Sequence, residues 1–511
     1  MKKCSKYLYH IRYEDSNSSI EHEKYIIIME TIMFDLERIN LGNDEAEQDE
    51  RLREYFIKTA HYENTISGIK TIIIGRKGSG KSAIFTLAKD QLEKKGDFVI
   101  PITPMQYSFN SLKDYIETGI TAEQAHANAW KITLLSSIVW ILNEKDMIPR
   151  GSKLVGYYKY MKDAYVPSEE LFQNIVQKAK NALSCIKSDY VSFDFEREGT
   201  PIRVINEIQD LLLKDWPSAK CIRILIDRLD ESWDASEDAK YMIISLLRAA
   251  NQINGYFKGR VIVTVFLRSD IYEGLYFEDQ DKLRQNEEVL RWDNEDLKAV
   301  VCERVRVSLN LGQEISTEEI WDTLFSKVRY RSKATAEKYI IDRTFKRPRD
   351  MISFVRLALE VAKRNHHSYI ESKDTRTAEE ESYGQSKYKD LIIENQKQYP
   401  YVKDLLDFIS SSPNKQSRDE LLAKATAFIE KYALREKQSN QLLRQLFQWG
   451  VIGVEFRGGT GITHKGGTRF VYYYENPSIN PLNFKTFRIH PSLKYPLNIR
   501  EKREIETANF M

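Results

Sequence analysis

The amino-acid sequence of 511 residues predicts an α/β fold built on a parallel sheet. Three short apolar runs, at residues 72–74, 222–226 and 259–267, are rich in β-branched residues, a composition typical of buried parallel strands. Each run leads directly into glycine or charged residues that suit a bound ligand. Open α/β sheets bind ligands at the carboxyl ends of their strands, so we expect the functional site at that edge.

The first strand runs into a phosphate-binding loop. Residues 75–82 read Gly-Arg-Lys-Gly-Ser-Gly-Lys-Ser and fit G-x-x-x-x-G-K-[ST] at every position. The glycines allow backbone N–H groups to curl around a polyphosphate. A chance glycine-rich turn is the alternative, but a strand before the motif and a helical pattern after it favour a P-loop NTPase core. The predicted nucleotide contacts are Gly75, Arg76, Lys77, Gly78, Ser79, Gly80, Lys81 and Ser82.

Two of these loop residues have a predicted chemical role with ATP. Lys81 is expected to reach the β- and γ-phosphates and to act in catalysis, and Ser82 to offer its hydroxyl to Mg²⁺. Asp227 stands at the carboxyl end of the second strand, where a carboxylate can hold the same Mg²⁺ through water. Ser82 and Asp227 are therefore the predicted metal residues, and ATP and Mg²⁺ the predicted cofactors.

Asp230 and Glu231 follow the second strand at three and four residues beyond Asp227. A carboxylate near the γ-phosphate can polarise the attacking water, so one of the two is the predicted general base. The alternative is an acidic cap at a helix N-terminus.

Two arginines are further candidates for contact with the nucleotide. Arg268 ends the third strand and is predicted to lie beside the two acids and sense the γ-phosphate; an ion pair with Asp227 or Asp230 is compatible with that role. Arg349 follows Pro348 at the start of a helical pattern and is predicted to reach back to the nucleotide from a helical lid. A surface pair with Asp350 is the alternative for Arg349.

Length and composition indicate a multidomain globular chain. The hydrophobic fraction is 42%, the charged fraction 30%, and the formal net charge +2, so any basic surface that attracts nucleic acid must be local. The four cysteines are far apart and predict neither disulfides nor a zinc site. Without a signal peptide or a membrane-spanning run, we expect a cytoplasmic protein and no membrane partner.

The predicted domains follow the changes in pattern along the chain. They are an N-terminal arm at 1–33, a P-loop ATPase core at 34–285 with a helical insertion at about 105–217, a helical lid at 286–363, a linker at 364–390, and a winged-helix domain at 391–511. In the core, Asn40 to Gly42 and Tyr62 are candidates to cover the adenine, with core packing as the equal alternative.

The winged-helix prediction rests on three helical patterns followed by two strand patterns around a glycine-rich loop at 457–467. Basic residues are frequent in the loop and tail: Arg457, Lys465, Arg469, Lys485, Arg488 and Lys494. These residues are compatible with DNA binding, while winged helices also dock proteins, and charge alone leaves the two partners open.

The order of these motifs resembles the additional-strand P-loop ATPases, which include the AAA+ and STAND groups. The text Ile-Leu-Ile-Asp-Arg-Leu-Asp-Glu at 224–231 is similar to the STAND and KAP pattern. Gly-Arg-Lys-Gly-Ser-Gly-Lys-Ser, Leu-Arg-Ser-Asp-Ile and Phe-Arg-Ile-His-Pro are similar to a bacterial family of P-loop ATPases. The resemblance implies a nucleotide-controlled switch that acts near DNA or in antiviral defence against phage. Arg228 departs from the pattern, since a small residue commonly follows the Mg²⁺ carboxylate.

The leading hypothesis is an Mg²⁺-dependent ATPase that moves the winged helix or a homo-oligomer interface as its nucleotide state changes. The alternative is a nucleotide-gated sensor or scaffold with little hydrolysis that controls a separate effector protein. A small-molecule kinase on the same loop is disfavoured by the winged helix and the long lid.

Overall fold

The computed structural model describes residues 34–103, 121–164, 200–216, 220–231, 233–330, 334–434, 436–457 and 468–501. The predicted N-terminal arm at 1–33, parts of the predicted helical insertion, and Lys465 lie outside the described residues. Within them, no helix is long and apolar enough to cross a membrane.

The strands are numbered in chain order: β1 Ile72–Gly75, β2 Phe98–Ile102, β3 Ile222–Ile226, β4 Val261–Arg268, β5 Glu287–Val289, β6 Lys415–Ser417, β7 Ile452–Arg457, β8 Thr468–Val471 and β9 Thr486–Ile489. The α-helices are α1 Leu52–Tyr55, α2 Ala60–Ser67, α3 Lys81–Lys94, α4 Ala122–Glu144, α5 Lys153–Ala164, α6 Thr200–Asp215, α7 Glu237–Phe257, α8 Ser269–Glu273, α9 Gln280–Leu283, α10 Asn294–Leu309, α11 Thr317–Leu324, α12 Ala336–Ile341, α13 Pro348–Arg364, α14 Ser372–Ala378, α15 Gly384–Asn395, α16 Val402–Phe408, α17 Arg418–Lys431 and α18 Ser439–Gln448.

The first five strands form one parallel sheet in the order β2-β3-β4-β1-β5. The predicted α/β fold with a P-loop NTPase core is therefore confirmed, including the three strands expected from the apolar runs. β4 lies between the phosphate-loop strand and the strand that ends at Asp227, and this is the extra strand that the resemblance implies. The register pairs Gly75 with Arg268, so both strand ends reach the same edge.

Helices α4, α5 and α6 occupy the chain between β2 and β3, where a helical insertion is predicted. They pack with α7 and the strands in one hydrophobic core. The indole N–H of the fully buried Trp130 donates to the carbonyl of Met242 in α7, at 3.0 Å. The aromatic residues of this stretch thus contribute to the core of the sheet domain.

The boundary predicted between core and lid differs from the structure at two points. Glu287–Val289, predicted to begin the lid, is instead the edge strand β5 and pairs with β1. Phe34, Leu36 and Ile39, predicted to begin the core, pack in a second hydrophobic core with the lid helices α10 to α13. Their apolar side chains are buried there.

The stretch 364–390, predicted to be a linker, is folded. It contains α14, a π-helical turn at Glu379–Tyr383 and the first half of α15. The stretch is polar in composition, yet several of its charged side chains are buried. Burial is tolerated because these side chains have hydrogen-bond partners. Asp374 accepts hydrogen bonds from Asn365, and Glu379 accepts from Arg343 at 2.8 Å. Both carboxylates are fully buried.

The C-terminal module comprises α16, α17, α18 and the antiparallel sheet β6-β9-β7-β8. The three helices and the β7–β8 hairpin lie where the sequence predicts them. The sheet is larger than a simple hairpin, since β9 pairs with both β6 and β7. Most of the glycine-rich loop, residues 458–467, lies outside the described residues.

A buried ionic network joins the lid to α15. Asp350 is fully buried and accepts hydrogen bonds from Arg347 at 2.7 Å and from Lys387 at 2.7 Å. Burial raises the pKa of Asp350, but the two cations outweigh it and hold that pKa below its usual value. The network depends on all three charges, since a buried charge without a partner is costly.

We expect Asp350→Asn to lower the stability of the protein by about 3–5 kcal/mol, because Arg347 and Lys387 would stay buried without their carboxylate. Urea unfolding followed by circular dichroism measures the change. The matched control is Asp342→Asn, which removes an exposed pair with Lys338 at 3.1 Å and should cost at most about 0.5 kcal/mol. Equal losses in the two variants would contradict the assigned role of Asp350.

Candidate nucleotide-binding site

A cavity of about 400 Å³ lies at the carboxyl edge of the central sheet. Its walls come from four parts of the chain: residues 43–59 in and around α1, the phosphate-binding loop with the start of α3, the ends of β3 and β4, and the lid. This is the edge where the sequence predicts a ligand. Its size suits a nucleotide, because small-molecule sites occupy roughly 300–1,000 Å³.

The loop between β1 and α3 has the conformation that its glycines permit. Gly78 and Gly80 have φ angles of +77° and +96°, a region that residues with a side chain rarely adopt. A Cβ at Gly78 would lie 3.0 Å from the Cβ of Arg349, so this position also needs the smallest residue for close approach. A side chain at position 78 would therefore strain the backbone and push the loop and the lid apart.

Each carbonyl group of the loop from residue 75 to residue 79 accepts a hydrogen bond from the protein. The Lys81 ammonium donates to Gly75 and Arg76, at 2.8 and 3.1 Å. The lid supplies the other donors: the Arg347 guanidinium to Lys77, the Arg349 N–H to Gly78, and the Trp292 indole to Ser79, at 3.2, 3.3 and 2.9 Å. Since carbonyl oxygens repel anions, this arrangement suits a loop that binds an anion through its N–H groups.

Ser82 and Asp227, the two predicted metal residues, are in contact. The Ser82 hydroxyl and the Arg228 N–H both lie close enough to the Asp227 carboxylate to oppose the rise of its pKa. Asp227 is only 4% exposed. A hydroxyl and a carboxylate oxygen are the kinds of ligand that Mg²⁺ prefers, so the residues present fit this ion.

The buried positions of Lys81 and Asp227 shift both groups toward neutrality. Burial raises the pKa of Asp227, against the opposing effect of the Lys81 ammonium. Burial lowers the pKa of Lys81, against the opposing effect of Asp227. A polyphosphate with Mg²⁺ would add charge of both signs here, and it would favour the charged forms of Lys81 and Asp227.

Asp230 and Glu231 lie in a turn at the end of β3, and both line the cavity. The following helix begins only at Glu237 with Ser236 as its N-cap, so the helix-cap alternative for the two acids is wrong. Burial raises the pKa of Glu231, opposed by Arg228. A raised pKa is compatible with a general base.

Arg228 has an unusual backbone conformation between the metal carboxylate and the two acids. Its φ is +62°, in the left-handed region that an arginine adopts only at some cost in free energy. Its guanidinium lies 3.5 Å from Glu47 and 3.9 Å from Glu231. The residue that departs from the family pattern therefore contacts one of the candidate bases.

Arg268 lies where the sequence predicts it, at the tip of β4 beside the acids. Its guanidinium is 3.3 Å from Asp230 and 2.6 Å from Asp270. It lines the cavity and is mostly buried. The predicted ion pair is with Asp230 rather than with Asp227.

Arg349 lines the cavity from the first turn of α13, and its side chain is 3.5 Å from Glu45. The alternative surface pair between Arg349 and Asp350 is wrong, because Asp350 is buried and bound to Arg347 and Lys387. Arg347, which the sequence did not single out, holds the loop through Lys77 and is bound by Glu394 at 3.0 Å. The sequence signal for Arg347 is its position directly before Pro348 and Arg349.

The residues that the sequence names as candidates to cover the adenine, Asn40 to Gly42 and Tyr62, do not line the cavity. Tyr62 is buried, and its hydroxyl donates to the Leu87 carbonyl at 3.4 Å, while Asn40 is bound to Ser308. Tyr62 therefore serves core packing, whereas Asn40 is exposed and is held by its hydrogen bond with Ser308. The apolar residues that line the cavity come from the next stretch of chain and from the lid: Leu52, Tyr55, Phe56, Ile57, Val300 and Ile352.

The phosphate-binding loop also contacts the C-terminal module directly, which the sequence could not show. The Arg76 guanidinium donates to the Phe345 carbonyl and lies over the Tyr474 ring, 4.7 Å from its centroid. Tyr474 in turn hydrogen-bonds His490 at 3.0 Å, and Phe345 stacks on His490 with ring centroids 3.9 Å apart. A loop residue is thereby joined to the C-terminal sheet.

A parallel sheet that carries a phosphate-binding loop beside a buried carboxylate places this chain among proteins with the P-loop NTPase fold. Residues 295–392 match the family model described as the FunZ-associated C-terminal helical domain. The putative transposon gamma-delta 80.3 kDa protein of Escherichia coli (strain K12) is 26% identical over 392 residues, which are 71% of this chain and 52% of that protein. The chain thus spans about half the length of this curated relative.

Solved structures similar to this chain include the Aeropyrum pernix ORC1 protein in complex with DNA, with 10% identity, coverage of 92% of this chain and 98% of that chain, and a TM-score of 0.38. The Aeropyrum pernix ORC2 protein has 14% identity, coverage of 91% and 92%, and a TM-score of 0.35. The Thermotoga maritima RuvB branch migration motor has 9% identity, coverage of 88% and 99%, and a TM-score of 0.32. TM-scores this low establish no shared activity.

We expect Arg349→Ala to weaken ATP binding roughly tenfold to a hundredfold, because a charged hydrogen-bond partner of the phosphates would be lost. Isothermal titration calorimetry with MgATP measures the change. Arg356→Ala is the matched control: Arg356 lies on the same helix and pairs with Asp44 at 3.2 Å, but it is not among the residues that line the cavity. Equal affinities in the two variants would rule out a nucleotide contact for Arg349.

Proposed function

We propose that this chain is an Mg²⁺-dependent ATP-binding and ATP-hydrolysing switch that couples its nucleotide state to the C-terminal module. The observation that carries the proposal is the phosphate-binding loop itself, whose carbonyls are held by Lys81 and by three lid residues. The same loop reaches the C-terminal module through Arg76. Nucleotide site, lid and module are therefore in contact through one short segment.

In the proposed ATPase, Lys81 and the loop N–H groups bind the β- and γ-phosphates, and Arg349 and Arg268 supply positive charge at the terminal phosphate. Ser82 and Asp227 would hold Mg²⁺, which neutralises charge on the phosphates when bound. Asp230 or Glu231 orients the attacking water and accepts its proton. Because Arg268 pairs with Asp230, that carboxylate is less available to accept a proton from water. This favours Glu231 as the base.

The coupling proposal follows from the position of Lys81. Its ammonium holds the carbonyls of Gly75 and Arg76, and a bound polyphosphate competes for that ammonium. Any shift at the Arg76 backbone is carried to Phe345 and Tyr474 through its guanidinium. The C-terminal module would thus have two preferred positions, one for each nucleotide state.

A nucleotide-gated sensor or scaffold with little hydrolysis is the second candidate function. The contact between Arg228 and Glu231 favours it, because the arginine opposes the rise in the pKa of this carboxylate and competes with a water for it. In that case ATP binding alone would control a separate effector protein. Homo-oligomerisation is compatible with either function.

We propose that the partner of the C-terminal module is DNA, through a winged-helix arrangement. The hairpin β7–β8 follows three helices, and its exposed Arg469 lies next to the glycine-rich loop. The name of the curated relative connects that protein with a transposon, a DNA element. A protein partner at the same surface is the alternative, and a role in antiviral defence stays a prediction from the family resemblance.

We expect the purified chain to hydrolyse ATP, and duplex DNA to stimulate this turnover more at low than at moderate salt. Lys81→Ala should abolish turnover by removing the phosphate contact, whereas Glu231→Gln should keep ATP binding and stop hydrolysis. Asp230→Asn is the matched variant that separates the two candidate bases. Normal turnover in both acid variants would contradict the base assignment, and turnover indifferent to DNA would point to a protein partner.

We expect Arg76→Gln to uncouple the nucleotide site from the C-terminal module, because the substitution removes the guanidinium that joins the loop to Phe345 and Tyr474. Hydrogen exchange of residues 468–475 with and without MgATP measures the coupling. Wild type should show a nucleotide-dependent change there, and the variant should bind ATP without that change. Lys77→Gln, one position along the loop, is the control and should keep the nucleotide-dependent change. If both variants lose that change, Arg76 is not the residue that specifically couples the loop to the C-terminal module.

A further inference from the structure

The segment from Asn43 to Glu50 reads Asn-Asp-Glu-Ala-Glu-Gln-Asp-Glu, and it covers the cavity that we assign to ATP. Five of its eight residues are acidic. A wall of carboxylates beside a polyphosphate site is unexpected on electrostatic grounds, because like charges at short range repel. We call residues 43–50 the acidic segment.

The acidic segment is anchored at one end by a buried ion pair. Asp49 is buried and lies 2.9 Å from the Arg304 guanidinium, and the Tyr55 hydroxyl donates to the same carboxylate. Arg304 also donates to the Leu41 carbonyl just before the segment. The anchor fixes where the segment lies without using the carboxylates that face the cavity.

Two other carboxylates of the segment hold arginines of the cavity. Glu45 lies 3.5 Å from Arg349, and Glu47 lies 3.5 Å from Arg228. Both arginines line the cavity beside the phosphate-binding loop and the acids of β3. Glu47 also lies close enough to Glu231 to contribute to the rise of its pKa.

These two ion pairs are of a kind that exchanges readily. Their N···O separations are long, and all four side chains are about a third exposed or more, apart from Arg349 at 28%. Exposed pairs of this type are worth at most about 1 kcal/mol. A phosphate group that approached either guanidinium closely would be a stronger partner than these carboxylates, because it carries more charge and can form the two parallel hydrogen bonds that a contact of 3.5 Å does not make.

We propose that Glu45 and Glu47 occupy the positions of phosphate groups: they pair with Arg349 and Arg228 before ATP binds. When ATP binds, its polyphosphate replaces the two carboxylates as the partner of both arginines. Nucleotide binding is then an exchange of carboxylate for phosphate at two guanidinium groups. This inference rests on the proposed function and deepens it, because it names two residues that set the affinity for ATP without binding it. It also gives Arg228 a role at the terminal phosphate.

The exchange predicts a preference between nucleotides. Arg349 and Arg228 lie near the loop and the acids that face the terminal phosphate, so their release matters more for ATP than for ADP. Removing the competing charges by Glu45→Gln with Glu47→Gln should therefore tighten ATP binding roughly three- to tenfold. The gain for ADP should be smaller.

The experiment is calorimetric titration of the wild-type chain and the double variant with MgATP and with MgADP. Glu50→Gln is the matched control, since Glu50 is an exposed acid of the same segment outside the cavity wall described above. In an Arg349→Ala background the gain from Glu45→Gln should disappear, which a purely structural role of Glu45 would not produce.

The outcomes distinguish a failure of the exchange at Glu45 and Glu47 from a failure of the proposed ATP binding. Tighter ATP binding by the double variant, with Glu50→Gln unchanged, supports the exchange. If the wild-type chain binds ATP and the double variant binds it equally well or more weakly, the exchange is overturned. The proposed function then stays in place. Failure of every variant and of the wild type to bind ATP overturns both.

Discussion

The hydrogen bonds to the carbonyl groups of residues 75 to 79 are the constraint on which the rest of the site depends. Lys81 supplies two of them from within the loop, and Arg347, Arg349 and Trp292 supply three from the lid. A loop so held presents its N–H groups as an anion site. The same bonds fix the lid against the sheet. A change in the geometry of the loop therefore changes the position of the lid as well.

The charges behind this arrangement form a continuous network. Arg347 touches the loop at Lys77, and its other contacts, Asp350 and Glu394, belong to the lid and to α15. On the opposite side the acidic segment holds Arg349 and Arg228. The arginines that line the cavity, Arg228, Arg268, Arg304 and Arg349, are thus each paired with a carboxylate. In the proposed switch, a polyphosphate would compete with the more exposed of these carboxylates, so that binding and conformational change would be parts of the same event.

The sequence predicted well wherever the signal was local. The strands β1, β3 and β4, the loop at 75–82, Asp227 at a strand end, and Pro348 at a helix start all follow from spacing within a few residues. The sequence failed where burial reverses composition: the stretch 364–390 is polar yet folded, because Glu379 and Lys387 find partners in the lid and Asp374 is bound by Asn365 nearby. Asn40 to Gly42 and Tyr62, the predicted cover of the adenine, do not line the cavity.

By itself, then, the sequence determined the phosphate-binding loop and the order of the elements, because these depend on backbone geometry and periodicity that neighbouring residues encode. Only the tertiary structure decided which side chains meet at the cavity. Trp292 reaches Ser79 across 213 residues, Arg349 reaches Glu45 across 304, and Arg76 reaches the Phe345 carbonyl across 269. Such contacts depend on the packing of whole domains against one another, and no local pattern specifies that packing.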